Sequence, residues 1–481
     1  MTTSLPQRTL DPSILARELG NWRTSSRSGP TYQALADCLR MLIVDGRLPV
    51  GSRLPSERAL ADVLRVSRTT VTAAYADLRE DGYLHARRGA RSTVALPHTP
   101  TPMPEQPVGT INLAVAASAA PAAAMQDAFT EAARQSAAYL QRTAHDMTGL
   151  PVLRTAIAER YTARGLPTTA DQIMVTSGAQ HAIALIVAAY TQPGDRVLVE
   201  QPTYHGVLTA IDLAGARPIP VPMTSEGWDL DAVQTTARQL APALAYLVPD
   251  NQNPTGMSMS VDDRKRLCDI VGETRTRTII DETLTDVWLD EPVPAPVAAS
   301  LGARADLLLT VGSMSKSFWG GMRIGWIRAE PGVLATVRAL RPSIDLGTSV
   351  VDQLAAAWLL TERAADVLPE RREMLRERRA LLLDLLAAHL PDWRPLPGRG
   401  GMSLWVQLPA PISTALCAAA SRLGVELPPG PRFGVDGTLE RFVRIPYVLP
   451  PDQLSEAIPL LALAWQSVTG ATTPPSTAVV I

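Results

Sequence analysis

"GSMSKSFWGGMRIG", Gly312–Gly325, contains one of only two lysines in 481 residues. Lysine and arginine together number 45, so arginine serves almost everywhere that a cation is used. The other lysine, Lys265 in "DDRKRL", reads as a charge on a solvated helix face. Lys316 has different company. Ser313 and Ser315 precede it, Arg323 follows, and Gly320, Gly321 and Gly325 surround the turn. Hydroxyls and an arginine are ligands for phosphate. A lysine amine condenses with an aldehyde, releasing water, which a guanidinium does not do.

Working outward, short apolar runs alternate with helical stretches. Gln172–Thr176, Arg196–Glu200, Ala243–Val248, Thr278–Asp281 and Leu307–Val311 read as strands, and Ala179–Tyr190 and Val261–Val271 as helices. This alternation predicts an α/β domain with a mainly parallel sheet covered by helices on both faces. Ligands of such sheets sit at the carboxyl ends of the strands, and further candidates fall there. "TSGAQ" (Thr176–Gln180) ends a strand and opens a helix, so the N–H groups of Gly178, Ala179 and Gln180 would face a phosphate. A buried carboxylate at Asp281 could keep a pyridine nitrogen protonated. Asn253, in the turn "NQNPTG" (Asn251–Gly256), could bond a ring hydroxyl, and Tyr204 in "PTY" could stack on a ring. An aldehyde that carries a phosphate on a pyridine is pyridoxal 5′-phosphate. Singly, these are a common small-residue turn, a strand-end acid, a turn asparagine and a core tyrosine. Their joint order around Lys316 carries the assignment. A charged amphipathic helix over Pro369–Leu390, followed by the strand-like "GGMSLWVQL", predicts a smaller α+β lobe at the C-terminus.

Upstream, "LPHTPTPMPEQPVGT" (Leu96–Thr110) is rich in proline and lacks a hydrophobic period, as expected of a stiff linker. It separates residues 1–95 from residues 111–470, and residues 471–481 read as a tail. In the first segment, whose core spans 30–95, Tyr32–Asp45 has a helical period and stops at Gly46. Ser56 and Ser67 are placed to cap two helices, with Val66 in the tight turn between them and Gly82 ending the second. "LHARRGARSTV" then reads as two short strands around a basic turn. The order predicts a winged helix-turn-helix. Between Gly46 and Ser92 stand nine arginines and five acids, in a chain of net charge −2. Arg68, Thr69 and Thr70 open the second helix of the pair, the end that enters a major groove, and an arginine there can bond guanine through two hydrogen bonds. Arg87, Arg88 and Arg91 fall in the wing. On charge alone, a solvated helix pair or a protein-binding winged helix is an equal reading.

The remaining composition sets bounds. Hydrophobic residues make up 46% and charged residues 19%, a soluble globular balance. Cys38, Cys268 and Cys417 are odd in number and far apart, which argues against a disulfide framework and for a reducing compartment. The polar start and the absence of an apolar run long enough for a membrane point to a cytoplasmic protein without membrane contact. No metal site is expected.

Two resemblances sharpen these readings. "LPSERxLAxxLxVSRTTVxxAYxxLxxxGYL" resembles the DNA-binding domain of the GntR family over about 65 residues. The resemblance implies that Arg58, Arg68, Thr70, Arg88 and Gly89 contact double-stranded operator DNA, beside Thr69 in the same first turn. Many members carry arginine where this chain has Thr72. From about Asn112 to Ser467 the ordered set around Lys316 resembles fold-type I aminotransferases. By that resemblance Lys316 holds pyridoxal phosphate, Asp281 pairs its ring nitrogen, Asn253 its hydroxyl, and Tyr204 stacks. Gly178, Ala179, Gln180, Ser313, Ser315 and Arg323 take the phosphate. Arg444 in "FVRIPY" takes a substrate carboxylate. The fusion is similar to the MocR regulators, which implies a homodimer with sites built from both chains and a small amine or amino acid as effector. Two positions depart from the pattern: Thr283 and Leu284 follow Asp281 where a tyrosine is usual, and His145 in "AHDMTGLPVLR" stands where another is usual. The leading expectation is a transcription factor that senses pyridoxal phosphate or an amine that reacts with it. The alternatives are a working class I/II aminotransferase with a DNA-binding head and a DNA-binding protein whose large domain is only a scaffold.

Overall fold

The computed structural model describes residues 9–22, 30–45, 47–48, 52–85, 92–95, 110–141, 143, 146–300, 302–435 and 437–470. The N-terminal reader contains α1 (Pro12–Leu19), α2 (Thr31–Val44), α3 (Glu57–Leu64) and α4 (Arg68–Glu80). Ser56 and Ser67 cap α3 and α4, accepting the N–H groups of Ala59 and Thr70 at 3.2 and 3.1 Å. Arg65 leaves α3 in the left-handed conformation, and the Val66 N–H returns to the Ala61 carbonyl, which closes the tight turn. Leu35, Leu39, Leu60, Val71, Tyr75 and Leu78 form one buried core. β1 (Leu84–His85) pairs antiparallel with β2 (Thr93–Val94). The basic turn between them, with Arg87, Arg88, Gly89 and Arg91, lies outside the described residues, as do Gly46, His145, residues 96–109 and the tail. Helix α1 is absent from the sequence reading. Its signal is Asp11, an N-cap acid, before Pro12, with Leu15 and Leu19 buried one turn apart.

The large domain is built on an eight-stranded sheet. Its strands are β3 (Ile173–Thr176), β4 (Arg196–Gln201), β5 (Arg217–Thr224), β6 (Gly227–Trp228), β7 (Leu244–Leu247), β8 (Thr278–Asp281), β9 (Leu308–Ser313) and β10 (Gly325–Arg328). Their spatial order is β3-β10-β9-β8-β7-β4-β5-β6. The pairs from β9 to β5 are parallel, while β10 runs antiparallel to both β9 and β3. The residues explain the burial. Ile173, Val175, Leu247 and Ile280 point into one core, whereas Met174, Tyr246, Ile279 and Leu309 point into the other. A strand covered on both faces reads as a continuous apolar run. Helix α5 (Ala179–Tyr190) follows β3 after two intervening residues, Ser177 and Gly178, and matches the sequence expectation.

Three strands of this sheet escaped the sequence reading: the two-residue β6 and the longer β5 and β10. β5 has proline at 218, 220 and 222. Proline cannot donate to a ladder, but Arg217 on the other alternation donates to the Asp195 carbonyl at 2.7 Å, so the ladder with β4 is served. β10 is short and is masked by the glycines before it. Its pairing with β9 sets Ser313 opposite Gly325 and folds the quoted stretch into a hairpin connection with Lys316 inside.

The predicted long helix begins earlier than expected, at Ala364 rather than Pro369, and runs to His389 as α6. It leads into the small lobe, where β11 (Arg394–Pro395), β12 (Ser403–Gln407) and β13 (Phe442–Pro446) form an antiparallel sheet against α7 (Ser413–Arg422) and α8 (Pro451–Thr469). Ile111–Asn112 pairs with Val425–Glu426 and fastens the start of the large domain to this lobe. The reader rests on the same lobe. Asp37 of α2 pairs with Arg422, Asp45 at the end of α2 accepts from Arg432 at 3.3 Å, and Met41 packs on the lobe's core.

Candidate cofactor cavity and DNA-reading surface

A cavity of about 400 Å³ lies at the carboxyl ends of β7, β8 and β9. Ala179, Gln180, Tyr204, Asn253, Asp281, Ser313, Ser315, Lys316, Arg323 and Arg444 all line it. Gly178 is just behind, as the residue before α5, at a φ of 93°.

Lys316 follows β9 in the turn to β10. Its ammonium donates to the Ala116 carbonyl at 2.6 Å. The next residue is tied down, since Ser317 Oγ donates to Asp286 at 2.7 Å and Asp286 pairs with Arg160. Burial, reinforced by the nearby Arg444 charge and opposed by Asp281, brings the Lys316 amine down to about 8. A lysine tuned this way offers its neutral, nucleophilic amine at a lower pH than an ordinary lysine does.

Asp281 ends β8 in the centre of the sheet and is buried. The Tyr246 hydroxyl donates to Oδ2 at 2.5 Å and the Thr283 N–H to Oδ1 at 2.9 Å. Burial raises its carboxyl above the usual range, while these two donors and the Lys316 charge oppose the rise. Its charge is held by neighbours that the sequence reading did not name.

At the other end, Arg323 takes a left-handed backbone and donates to the Ser177 carbonyl at 2.9 Å, which lays its guanidinium against Gly178. A methyl group on Gly178 would sit 2.6 Å from that guanidinium. Gly325 is equally constrained, since a Cβ there would approach the Gly178 carbonyl carbon to 2.5 Å. The glycines thus let β10 reach the N-terminus of α5, where the first helical N–H groups have no partner within the helix. Ser313 Oγ accepts the Ser315 N–H at 3.1 Å. The Gln180 side-chain oxygen is buried without a partner.

Arg444 is on β13, opposite Trp405, and reaches across from the small lobe. It donates to the Ala114 carbonyl at 2.5 Å and to Asn253 Oδ1 at 3.3 Å, its Nε is buried and unpartnered, and it lies 4.9 Å from the Phe433 ring centre. Burial lowers its guanidinium to about 10, with Arg432 adding to the effect. A buried cation with an open donor is suited to a carboxylate. Asn253 is therefore engaged with Arg444 as well as facing the cavity.

Several cavity residues were not foreseen. The segment Ala114–Ala117 supplies the carbonyls that Lys316 and Arg444 use. His205, whose Nδ1 is buried without a partner, is driven down to about 3 by burial and by Arg432, Arg444 and Lys316, and is therefore neutral. Arg432 closes one wall. Leu284 is buried and contributes an apolar wall, with Thr283 beside it, at the positions noted as departures.

The donor set fits pyridoxal phosphate: one amine, one buried carboxylate at a strand end, and a helix N-terminus cleared by two glycines beside an arginine and two serines.

On the reader, Arg58, Arg68 and Thr69 are exposed and Thr70 is half-exposed. Arg68 lies 3.7 Å from Glu57, with 72% of its side chain open to solvent. The hydroxyls of Thr69 and Thr70 are each 2.7 Å from Ser67 Oγ. Thr72 turns its hydroxyl to Glu57 at 2.8 Å, so it serves the helix pair. Among the described residues no group of three or more His, Cys, Asp or Glu is placed to hold a metal ion, and none of their helices is long and apolar enough to cross a membrane. All three cysteines are free and buried.

Fold and cavity together define a fold-type I, pyridoxal-phosphate-type domain joined to a winged helix-turn-helix. Comparison with known families agrees: residues 110–461 match aminotransferase class I and II, and residues 31–94 match the bacterial regulatory proteins of the gntR family. The chain belongs to the MocR-type transcriptional regulators, in which a GntR DNA-binding domain is fused to a class I/II aminotransferase domain. It is 30% identical to the uncharacterized HTH-type transcriptional regulator YdcR of Escherichia coli, covering 86% of this chain and 94% of that one. It is 27% identical to the probable rhizopine catabolism regulatory protein MocR of Rhizobium meliloti, over 83% and 86% of the two chains. Among solved structures, LysN, an alpha-aminoadipate aminotransferase of Thermus thermophilus complexed with N-(5′-phosphopyridoxyl)-L-leucine, matches with a TM-score of 0.70 and 27% identity. That match covers 76% of this chain and 94% of the other.

Proposed function

We propose that the large domain is the sensing half of this regulator. It holds pyridoxal phosphate and tests amino compounds against it, and the reader reports the result on operator DNA. The carrying observation is the convergence of Lys316, Asp281, Arg323 and Arg444 on one cavity. When bound, pyridoxal phosphate supplies an aldehyde carbon that condenses with a primary amine, releasing water, and a pyridine ring that draws off electrons. Lys316 provides the resident amine. Asp281 holds a proton at the ring nitrogen. The N–H groups of Ala179 and Gln180, together with Ser313, Ser315 and Arg323, bind the phosphate, which Gly178 leaves room for. Tyr204 covers the ring, Asn253 meets its hydroxyl, and Arg444 orients the carboxylate of the incoming amino compound.

On the reader, Arg68, Thr69 and Thr70 face base edges, while Arg58, Arg88 and Gly89 meet the backbone. The active form is a cytoplasmic homodimer that binds a double-stranded operator with two half-sites. The effector is a small amine or amino acid.

The test is reduction with borohydride. Wild-type protein given pyridoxal phosphate should carry a reduction-stable adduct at Lys316, found by peptide mass, and DNA affinity for a two-half-site operator should change with an amino compound. An adduct at Lys265 or at the N-terminus alone, or no adduct, would overturn the reading.

A further inference from the structure

The cavity is lined by four permanent or potential cations, Lys316, Arg323, Arg432 and Arg444, and by one carboxylate, Asp281. Under the reading above, a phosphate answers Arg323, the ring answers Asp281, and one carboxylate answers Arg444. That leaves Arg432. Its only ion-pair partner among the described residues is outside the cavity: Asp45, at the end of α2 in the reader, at 3.3 Å. The pair is long for a charge-assisted hydrogen bond. Asp45 is 8% exposed, its Oδ2 is buried with no hydrogen-bond partner, and Arg432 is 29% exposed. Arg432 thus stands between a cavity short of anions and a poorly satisfied acid of the DNA-binding domain.

The backbone keeps it there. Arg432 belongs to the short helical turn Gly430–Phe433, whose Phe433 carbonyl accepts the Thr203 N–H at 2.9 Å. Phe433 packs edge-on to His205, which is neutral and contributes no competing charge.

We infer that Arg432 recognises a second acidic group, so that the preferred effector is an amino acid with a carboxylate on its side chain, and that Asp45 of the reader competes with that carboxylate for Arg432. This rests on the sensing role proposed above and names the ligand class for it. It also gives the ligand a physical hold on the reader, because an acid that engages Arg432 withdraws the partner of Asp45. A ligand moves such an equilibrium only through its differential interaction with the two arrangements.

The experiment uses full-length protein loaded with pyridoxal phosphate and compares L-glutamate with L-glutamine, and L-2-aminoadipate with L-norleucine, by titration calorimetry. Each pair has closely matched side-chain length and differs in the second carboxylate. The diacid should bind about tenfold more tightly than its neutral counterpart. In Arg432→Gln the ratio within each pair should fall to about one. In Asp45→Asn the ratio should rise several-fold, since the competitor is gone, and the change in operator affinity caused by glutamate should shrink. The ratio within a variant is independent of how much of it is folded. A wild-type ratio near one, or a preference retained in Arg432→Gln, overturns the inference and leaves the sensing role standing. If no amino compound binds at all, the sensing role falls and this inference falls with it.

Discussion

The two helix N-termini proposed to meet anions are built in opposite ways. At the start of α4 the groups are open: Arg68 is mostly solvent-exposed, and Ser67, Thr69 and Thr70 exchange hydroxyl contacts at the surface. At the start of α5 they are enclosed, with Gly178 at a positive φ, Arg323 clamped on the Ser177 carbonyl, and β10 pressed close through Gly325. An open terminus meets its anion in water, where charge is screened and the ligand can slide, which suits a surface that must search DNA. An enclosed terminus is fixed before the ligand arrives and suits one that stays. The two should respond very differently to perturbation.

The largest effect belongs to the enclosed site. Lys316→Ala should abolish the visible absorption band that appears when pyridoxal phosphate is added, because no other amine lines the cavity. Circular dichroism should be unaltered, since Lys316 makes only the Ala116 contact among those described. A persistent band in the variant would break the assignment.

Next comes the cradle. Gly325→Ala should weaken pyridoxal phosphate binding by about 1–3 kcal/mol, because the added methyl must push back the Gly178–Ala179 backbone. Arg68→Ala at the open terminus should cost specific DNA binding about the same 1–3 kcal/mol. Salt separates the two. Raising ionic strength should erode DNA affinity steeply and leave cofactor affinity nearly alone. Equal salt slopes at both sites would remove the contrast between them.

Part of the enclosed site was legible in the sequence because several of its members sit at a strand end or a helix start. Asp281 closes an apolar run, Gly178 opens a helix, and Lys316 follows a strand. The caps Ser56 and Ser67 were legible for the same reason, a local rule with a local residue. What was not legible comes from distance. Arg432 and the Ala114 and Ala116 carbonyls reach the cavity through packing of segments distant in the chain, which no sequence period records. Tyr246 lies inside a strand whose alternation marks it only as core. β5 was hidden because prolines normally deny a strand, and only its register against β4 permits them. α1 was overlooked although Asp11 and Pro12 announce it.

The depressed Lys316 amine gives a pH signature of the enclosed site alone. Its ordinary value of 10.5 falls to about 8, so the neutral amine is populated above about 8 and is lost as pH falls below it. The rate at which the visible band forms with pyridoxal phosphate should therefore rise roughly tenfold through this region and flatten beyond it. Since Arg444 contributes to the depression, Arg444→Gln should move the inflection to higher pH. Stopped-flow absorbance from about pH 6 to about pH 10 checks both points.

The smallest effect tests whether the open terminus is as free as it looks. Glu57, the first residue of α3, accepts the Thr72 hydroxyl and lies 3.7 Å from both Arg68 and Arg79. On the proposed reading of Arg68, it is the carboxylate that a DNA phosphate or base would displace. Exposed pairs of this length are worth about 0.2–1 kcal/mol, and salt screens them. Glu57→Gln keeps an acceptor for Thr72 while removing the charge, so DNA affinity should rise by that small amount at low ionic strength and return to wild type at high. The same substitution removes an acid from the first turn of α3, which should lower thermal stability slightly, because a negative charge there favours the helix. The two changes have opposite signs and different observables, affinity and melting temperature. A loss of DNA affinity in Glu57→Gln would mean that Glu57 aligns Arg68 for its base, and the open terminus would then be preorganised after all.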